Sequence, residues 1–242
     1  MFKPLNPQLG KTVLGLLCML AFASFKGFSQ TPVIRSSSFA PPINIGTGLF
    51  PNGIVMADFD GDGKLDLATP SNSSIQGQQS MVSVLRNIGV TGAPAFAAAV
   101  NLTAGQLTNS LATGDINGDG KPDLVSASVT DQTFSVFLNT SVSGAIHFAA
   151  KADFTLAQSP TYVAVADLDG DGKPDVVVVN NLAGTISIFR NTSAGGSVSF
   201  AAKVDYAVGI FPSCVARWRN RRNRIRRVLP CRHAAAGPSA GR

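Results

Sequence analysis

The sequence predicts an all-β fold, an incomplete β-propeller of four-stranded antiparallel blades, about three and a half of them. Three observations carry the prediction: a fixed internal period, several short apolar runs separated by turn residues within each period, and one acidic loop at constant phase. "FAAAVNL" begins at Phe96, "FAAKADF" at Phe148 and "FAAKVDY" at Phe200, a step of 52 residues each time. The acidic stretches are "DFDGDGKLD" (58–66), "DINGDGKPD" (115–123) and "DLDGDGKPD" (167–175), and the last two open 19 residues after Phe96 and Phe148. The first loop precedes the second by 57 residues, so the first period holds a small insertion, for which "SNSSIQGQQS" (71–80) is the natural place.

One period reads as four strands, clearest in the third. "TYVAVADL" alternates around Val163 and Val165 and runs into the acidic loop. "DVVVVNN" follows, a continuous apolar run suited to a strand buried on both faces. After the turn "LAG", "TISIFRN" alternates Ile186 and Ile188 with Ser187; after "SAGGS", "VSFAAKVDY" makes the outer strand, with His147 in the matching strand of the second period. "LVSASV", "FSVFLN" and "IHFAAKADF" repeat the order. Four strands in about fifty residues is the length of a propeller blade; a solenoid or a row of β-sandwiches would also repeat. The bulk composition agrees, with 45% hydrophobic residues, only 14% charged, 24 Gly and 14 Pro.

The net charge of +6 misleads. All 14 acidic residues are Asp, and 11 of them lie in the three loops. Nine of the 12 arginines follow Ala216. Residues 31–214 carry 14 Asp against 8 Lys and Arg, so the body is acidic and gives no reason to expect a nucleic-acid partner.

Residues 1–30 read as an export signal: Lys3 and Lys11 precede "TVLGLLCMLAFASF", an apolar run too short for a comfortable membrane span. No membrane span is expected once it is removed, and the mature chain is expected to be secreted or at the cell surface. Cys18 leaves with the signal, while Cys214 and Cys231 fall at and beyond a composition break, so the body (31–216) has no disulfide framework and needs another staple.

The acidic loops supply one. Their spacing is D-x-[DN]-x-D-G-x-x-D. Positions 1, 3 and 5 put side-chain oxygens on one side of a tight loop, position 7 offers a backbone carbonyl and position 9 a last carboxylate, a set of hard oxygens suited to Ca²⁺. Glycine at position 6 permits the sharp turn. A single such stretch would read as a solvated acidic turn, but three in phase with a structural repeat read as about three Ca²⁺ sites. Mg²⁺ keeps more of its water than this ligand set allows. The flanks are strands and position 9 replaces the distant Glu of a twelve-residue loop, which excludes an EF-hand.

These loops, with lead-ins such as "LFPNGIVMADFD" and "QSPTYVAVADLD", resemble those of the FG-GAP/VCBS repeat family, the calcium-binding blades also seen in the propeller head of integrin α chains. The resemblance covers roughly residues 43–216. It implies ligands at Asp58, Asp60, Asp62, the Lys64 carbonyl and Asp66; at Asp115, Asn117, Asp119, the Lys121 carbonyl and Asp123; and at Asp167, Asp169, Asp171, the Lys173 carbonyl and Asp175. Asn117 lowers the charge of the second site, which is therefore expected to bind most weakly. The resemblance also implies a module for adhesion or for a protein or glycan ligand. The alternatives are a non-catalytic part of a larger secreted polysaccharide-acting enzyme and a lectin-like glycan binder. One Trp and two Tyr give few platforms for sugar stacking.

An enzyme is not expected. The body has no Glu, and its only cysteine is Cys214; His147 and His233 are the sole histidines, and no nucleophile, base and orienting group can be assembled. Asp153 and Asp205 recur in phase and read as structural residues of the blade edge. Asn72, Asn101, Asn139 and Asn191 fit N-x-[ST], a pattern without meaning outside glycosylating hosts.

The fourth repeat departs from the pattern. "PSCVA" (212–216) aligns with "PTYVA" (160–164), but "RWRNRRNRIRR" (217–227) stands where an acidic loop should open at 219. Gly-Asp-Gly encoded as GGC-GAT-GGC and read from its third base begins Arg-Trp, so residues 217–242 read as out of frame or disordered. Three and a half blades cannot close a ring, and unpaired strand edges favour self-association. Resequencing through codon 216 is expected to show a one-base shift that restores D-x-D-G-D-G-x-x-D from position 219. An unchanged reading would establish the basic tail as genuine.

Overall fold

The computed structural model describes residues 42–73, 79–156, 158–218 and 227–232. The expected signal segment and most of the 71–80 insertion lie outside the described residues. The chain divides into two units, Met1–Asn44 and Ile45–Arg242, and the second holds every strand described below.

Three four-stranded antiparallel sheets follow one another, each wound in sequence order. Blade one comprises β1 (Val55–Ala57), β2 (Asp66–Ser71), β3 (Met81–Leu85) and β4 (Val100–Thr103). Blade two comprises β5 (Thr108–Gly114), β6 (Asp123–Ser128), β7 (Thr133–Phe137) and β8 (Ala152–Thr155). Blade three comprises β9 (Pro160–Ala166), β10 (Asp175–Asn180), β11 (Thr185–Phe189) and β12 (Val204–Ala207). A fourth begins as the hairpin β13 (Pro212–Trp218) and β14 (Arg227–Arg232). These are propeller-like blades in an incomplete, unclosed set; among the described residues there is no helix.

The insertion sits where the sequence placed it. β2 ends at Ser71 and β3 begins at Met81, whereas β6 ends at Ser128 and β7 begins at Thr133. The outer strands start later than expected. Phe148 and Phe200 make isolated bridges to Asn139 and Asn191, and regular pairing resumes only at Ala152 and Val204. His147 accordingly lies in the connection before β8 and not in the outer strand. Its N–H donates to Ser141 Oγ at 2.9 Å.

The core lies between blades. The first strand of each blade packs on the inner strands of the blade before it: β5 on β1 and β2, β9 on β5 and β6, β13 on β9 and β10. This explains the run "VVVV". Val176 and Val178 join the cluster shared with blade two, while Val177 and Val179 join the one that reaches Val215 of β13. Alternate side chains of a strand leave opposite faces, so only a strand covered on both sides is apolar throughout. Each such valine contributes about 1.5–3 kcal/mol when fully buried.

The recurring phenylalanine also reaches backward. Phe148 meets Phe59 of blade one edge to face at 5.7 Å. Phe200 meets Phe134 and Phe154 of blade two at 5.5 and 5.0 Å, both T-shaped, and Phe134 stacks on Phe154 at 4.8 Å. Edge-to-face and offset pairs match the aromatic quadrupoles and add to simple burial.

Two asparagines complete the join. Asn139 follows β7, and its amide donates to Pro122 O of its own blade and to Phe59 O of blade one, both at 2.9 Å. Asn191 does the same for Pro174 O at 3.0 Å and Ile116 O of blade two at 2.9 Å. Each is 1% exposed. Asn87, the counterpart in blade one, donates to Leu65 O within its own blade.

β13 continues two residues past the composition break at Ala216, and Arg227–Arg232 pairs with it. Cys214 is disulfide-bonded, and Cys231 lies opposite it in the ladder. Cys214 is thus tied, contrary to the sequence reading, and the pairing of 227–232 has no sequence signal in a segment dominated by arginine.

Asn191→Ala strips one interblade carbonyl, Ile116 O, and one within its own blade, Pro174 O, of their donor and is expected to cost about 2–4 kcal/mol, as two carbonyls lose a partner. Asn87→Ala, with one partner in its own blade, is expected to cost less than half of that. Urea denaturation of the two variants against the parent chain measures the difference.

Candidate metal centre

Each acidic loop joins the first two strands of its blade: 58–65 between β1 and β2, 115–122 between β5 and β6, 167–174 between β9 and β10. The same local chemistry folds all three. The position-1 carboxylate accepts backbone N–H groups from the turn: Asp58 from Asp62 and Gly63, Asp115 from Gly118, Asp119 and Gly120, Asp167 from Gly170. Position 3 accepts from the N–H of position 5 at 3.1–3.2 Å, and position 5 from the N–H of position 7 at 2.9 Å. The chain thus coils around its own carboxylates. Positions 4 and 6 are left-handed in every loop, with φ of 72° and 85° at Gly61 and Gly63, so glycine is required at both positions and not at position 6 alone.

Position 9 is the anchor. Asp66, Asp123 and Asp175 are the first residues of β2, β6 and β10 and are 0–1% exposed. One oxygen accepts the N–H of loop position 2 (Phe59, Ile116, Leu168) at 2.8–2.9 Å. The other accepts the N–H of Asn87, Asn139 or Asn191 at 2.7–2.9 Å. Burial raises these carboxyls above the usual range, against the two N–H bonds that lower them, and neighbouring carboxylates push the same way. Asp123 is carried from 3.8 to about 6.

Two of the lysines at position 7 have their ammonium groups engaged away from the loop. Lys121 Nζ donates to Ser141 O and Lys173 Nζ to Ser193 O, each at 2.8 Å. A cavity of about 420 Å³ opens between the second and third loops, lined in part by Asp115, Asn117, Asp167 and Lys173.

Among the described residues, two loops gather carboxylate oxygens closely enough for one cation: Asp58, Asp60 and Asp66, each within 4.8 Å of the others, and Asp167, Asp169 and Asp171 on the same criterion. Asp62, Asp175 and the acids of the second loop, Asp115, Asp119 and Asp123, stand outside these groups, as does Asn117, whose amide donates to Asp119 at 3.1 Å. The donor set is all hard oxygen and anionic, which fits Ca²⁺.

The FG-GAP-like repeat family matches residues 74–126, 115–178 and 167–216. The chain belongs to this family. The first two matches end on β6 and β10, just after an acidic loop, and the third ends on β13, in step with the blades. FG-GAP repeats often bind calcium and are typical of extracellular or surface proteins. No curated protein matches the chain. Among the described residues no helix is long and apolar enough to cross a membrane.

Sequence reasoning missed Asn139 and Asn191 as joints between blades, Arg86 as a partner of the first loop, and the second left-handed glycine. The period would have pointed to the asparagines, which recur 52 residues apart immediately after the third strand.

The raised carboxyls make a signed prediction. A folded-state pKa of about 6 against 3.8 means the native state holds the Asp123 proton over that interval while the unfolded state has released it. This contribution to stability is complete below the lower value and is lost as pH rises through the higher. Metal-free protein is therefore expected to melt at progressively lower temperature between these two pH values. Asp123→Asn is expected to flatten part of that slope, while costing about 1–3 kcal/mol because one backbone N–H loses its acceptor. Thermal melts in chelator across this pH range are the measurement.

Proposed function

We propose that the chain is an exported, calcium-stabilised repeat module for adhesion or for binding a protein or glycan ligand, with calcium in a structural role. The observation that carries it is the convergence of three carboxylates on one short loop at the hinge of β1–β2 and again at that of β9–β10. Like charges at this spacing repel, and a bound Ca²⁺ would offset that repulsion. Asp58, Asp60 and Asp66 would hold it in the first loop, and Asp167, Asp169 and Asp171 in the third. The carbonyls of Lys64 and Lys173, at position 7 of the spacing, would join them. In the second loop the set would be Asp115, Asn117, Asp119, the Lys121 carbonyl and Asp123, with one charge fewer.

Binding is assigned to the ends of the blades away from these loops. The turn that leads into β1 lies at the opposite end of that strand from its acidic loop and exposes Phe50 at 64%, and the matching turn before β13 exposes Ile210 at 85% and Phe211 at 60%. Phe50 and Phe211 also hold left-handed backbone, with φ of 50° and 51°, an uncommon conformation for a bulky residue and one that concentrates at sites of interaction. Self-association is a second route to partners. Met56 and Leu67 face each other across β1 and β2 on the side away from blade two, and Met56 is 58% exposed. No nucleic-acid partner or catalytic activity is proposed.

Excess chelator is expected to lower the melting temperature by tens of degrees or prevent folding, and calcium to restore it, since an ion bound only by the folded state stabilises it by mass action. A melt unchanged in chelator would overturn the structural role of calcium.

A further inference from the structure

The three acidic loops are alike in sequence but not in their surroundings. The residue just before the asparagine after the third strand is Arg86 in blade one, Leu138 in blade two and Arg190 in blade three. Position 3 of the loop is Asp60, Asn117 and Asp169 in the same order. Arginine stands where that position is charged and leucine where it is neutral.

In blade one the pairing is close. Arg86 Nε lies 2.5 Å from Asp60 Oδ2 and Nη2 lies 3.1 Å from Asp62 Oδ2, so one guanidinium bridges two loop carboxylates. The Asp60 side chain is fully buried, and that of Arg86 is 26% exposed. Asp60 Oδ2 also accepts the N–H of Gly144, from the β7–β8 hairpin of blade two, at 3.0 Å. The remaining oxygens of Asp60 and Asp62 accept backbone N–H groups of the loop. Burial raises the Asp60 carboxyl, but Arg86 and the N–H groups outweigh it and hold it below its usual value. In blade three the contact is loose: Arg190 Nη1 stands 3.8 Å from Asp169 Oδ2, and the side chain is 58% exposed.

We propose that Arg86 is a built-in cation of the first acidic loop. It neutralises Asp60 and Asp62 when calcium is absent and must be displaced from them for calcium to bind. The inference rests on the calcium reading above and adds an order to it: the third loop fills first, and the first loop is handicapped although its four carboxylates equal those of the third. The physical basis is competition. A charge-assisted fork on two carboxylates is among the stronger hydrogen-bonded arrangements, and a guanidinium and a divalent ion cannot neutralise the same oxygens at once without like-charge repulsion. Arg86 also lies against the blade one–blade two junction, so the loop keeps its hold on Gly144 without an ion.

The test is a calorimetric calcium titration of the full chain, with thermal melts in chelator and in saturating calcium, for the parent, R86L and R190L. R86L copies the leucine of blade two. It is expected to tighten one calcium site by roughly tenfold or more, the scale of a lost charge-assisted pair. It is also expected to lower the melt in chelator and to leave it near the parent value in saturating calcium. R190L, which removes an exposed and distant cation, is expected to change affinity by less than about threefold. If R86L does not fold in chelator, R86Q, which keeps a hydrogen-bond donor without charge, carries the same comparison.

An equal drop of the melt with and without calcium, and unchanged affinities, would make Arg86 a structural ion pair only and overturn the proposal while leaving the calcium reading intact. Absence of calcium binding in parent and variants alike would remove the reading on which it rests.

Discussion

Both oxygens of one buried aspartate in each blade are committed to backbone N–H groups from two separate segments. Asp66, Asp123 and Asp175 each hold the second residue of the acidic loop with one oxygen and the residue after the third strand with the other. The hairpin of the first two strands and the exit of the third are thereby fixed to a single side chain. The exposed carboxylates of the loop take their positions from this anchor, and so do Asn139 and Asn191, whose own N–H groups it accepts. A buried carboxylate without a cation would be costly in an apolar setting, and two good donors reduce that cost without removing it. The upward displacement of all three carboxyls expresses what remains.

From these anchors the fold grows sideways. No blade encloses a core of its own; every large apolar cluster spans two neighbours. Stability in such an array is a sum of terms for each unit and each junction. The two complete junctions differ in composition. The one between blades two and three is a Phe134, Phe154, Phe189 and Phe200 assembly, whereas the one between blades one and two has, among the described residues, the Phe59–Phe148 pair and adds the polar bridge from Asp60 to Gly144.

Much of this architecture was legible in the sequence, because a period of 52 residues is a global signal that no single substitution erases. The four strands per blade, the two-sided burial of "DVVVVN", the insertion between β2 and β3, and the loop position at the first hairpin all follow from pattern and spacing. Asp153 and Asp205, read as structural from their phase, accept the hydroxyls of Ser135 and Ser187 and the ammonium groups of Lys151 and Lys203. What was not legible depends on contacts across long separations. Asn139 lies 80 residues from the Phe59 carbonyl that it binds, and its recurrence in the period marks the position without naming that partner. Arg86 is 26 residues from Asp60, and the pairing of β2 with β3, which sets Leu85 opposite Leu67, brings them together. The late start of β8 and β12 escaped because the bridges of Phe148 and Phe200 to asparagine break the ladder that an apolar alternation suggests.

The asparagine joints have a direction. The two buried ones, Asn139 and Asn191, reach from a later blade to a carbonyl presented by the blade already made, whereas Asn72 and Asn181 reach forward, to Asn109 and to the Pro212 carbonyl. A chain emerging from its N-terminus can therefore seat each blade as soon as its third strand exists, on a platform already assembled. Among these buried joints, removing the last blade leaves one carbonyl, on the loop of the new terminal blade, without its amide, and it also uncovers the apolar face the two blades shared. An array joined in this way changes length by whole blades, and a genome can lengthen or shorten it without redesigning the blades that remain.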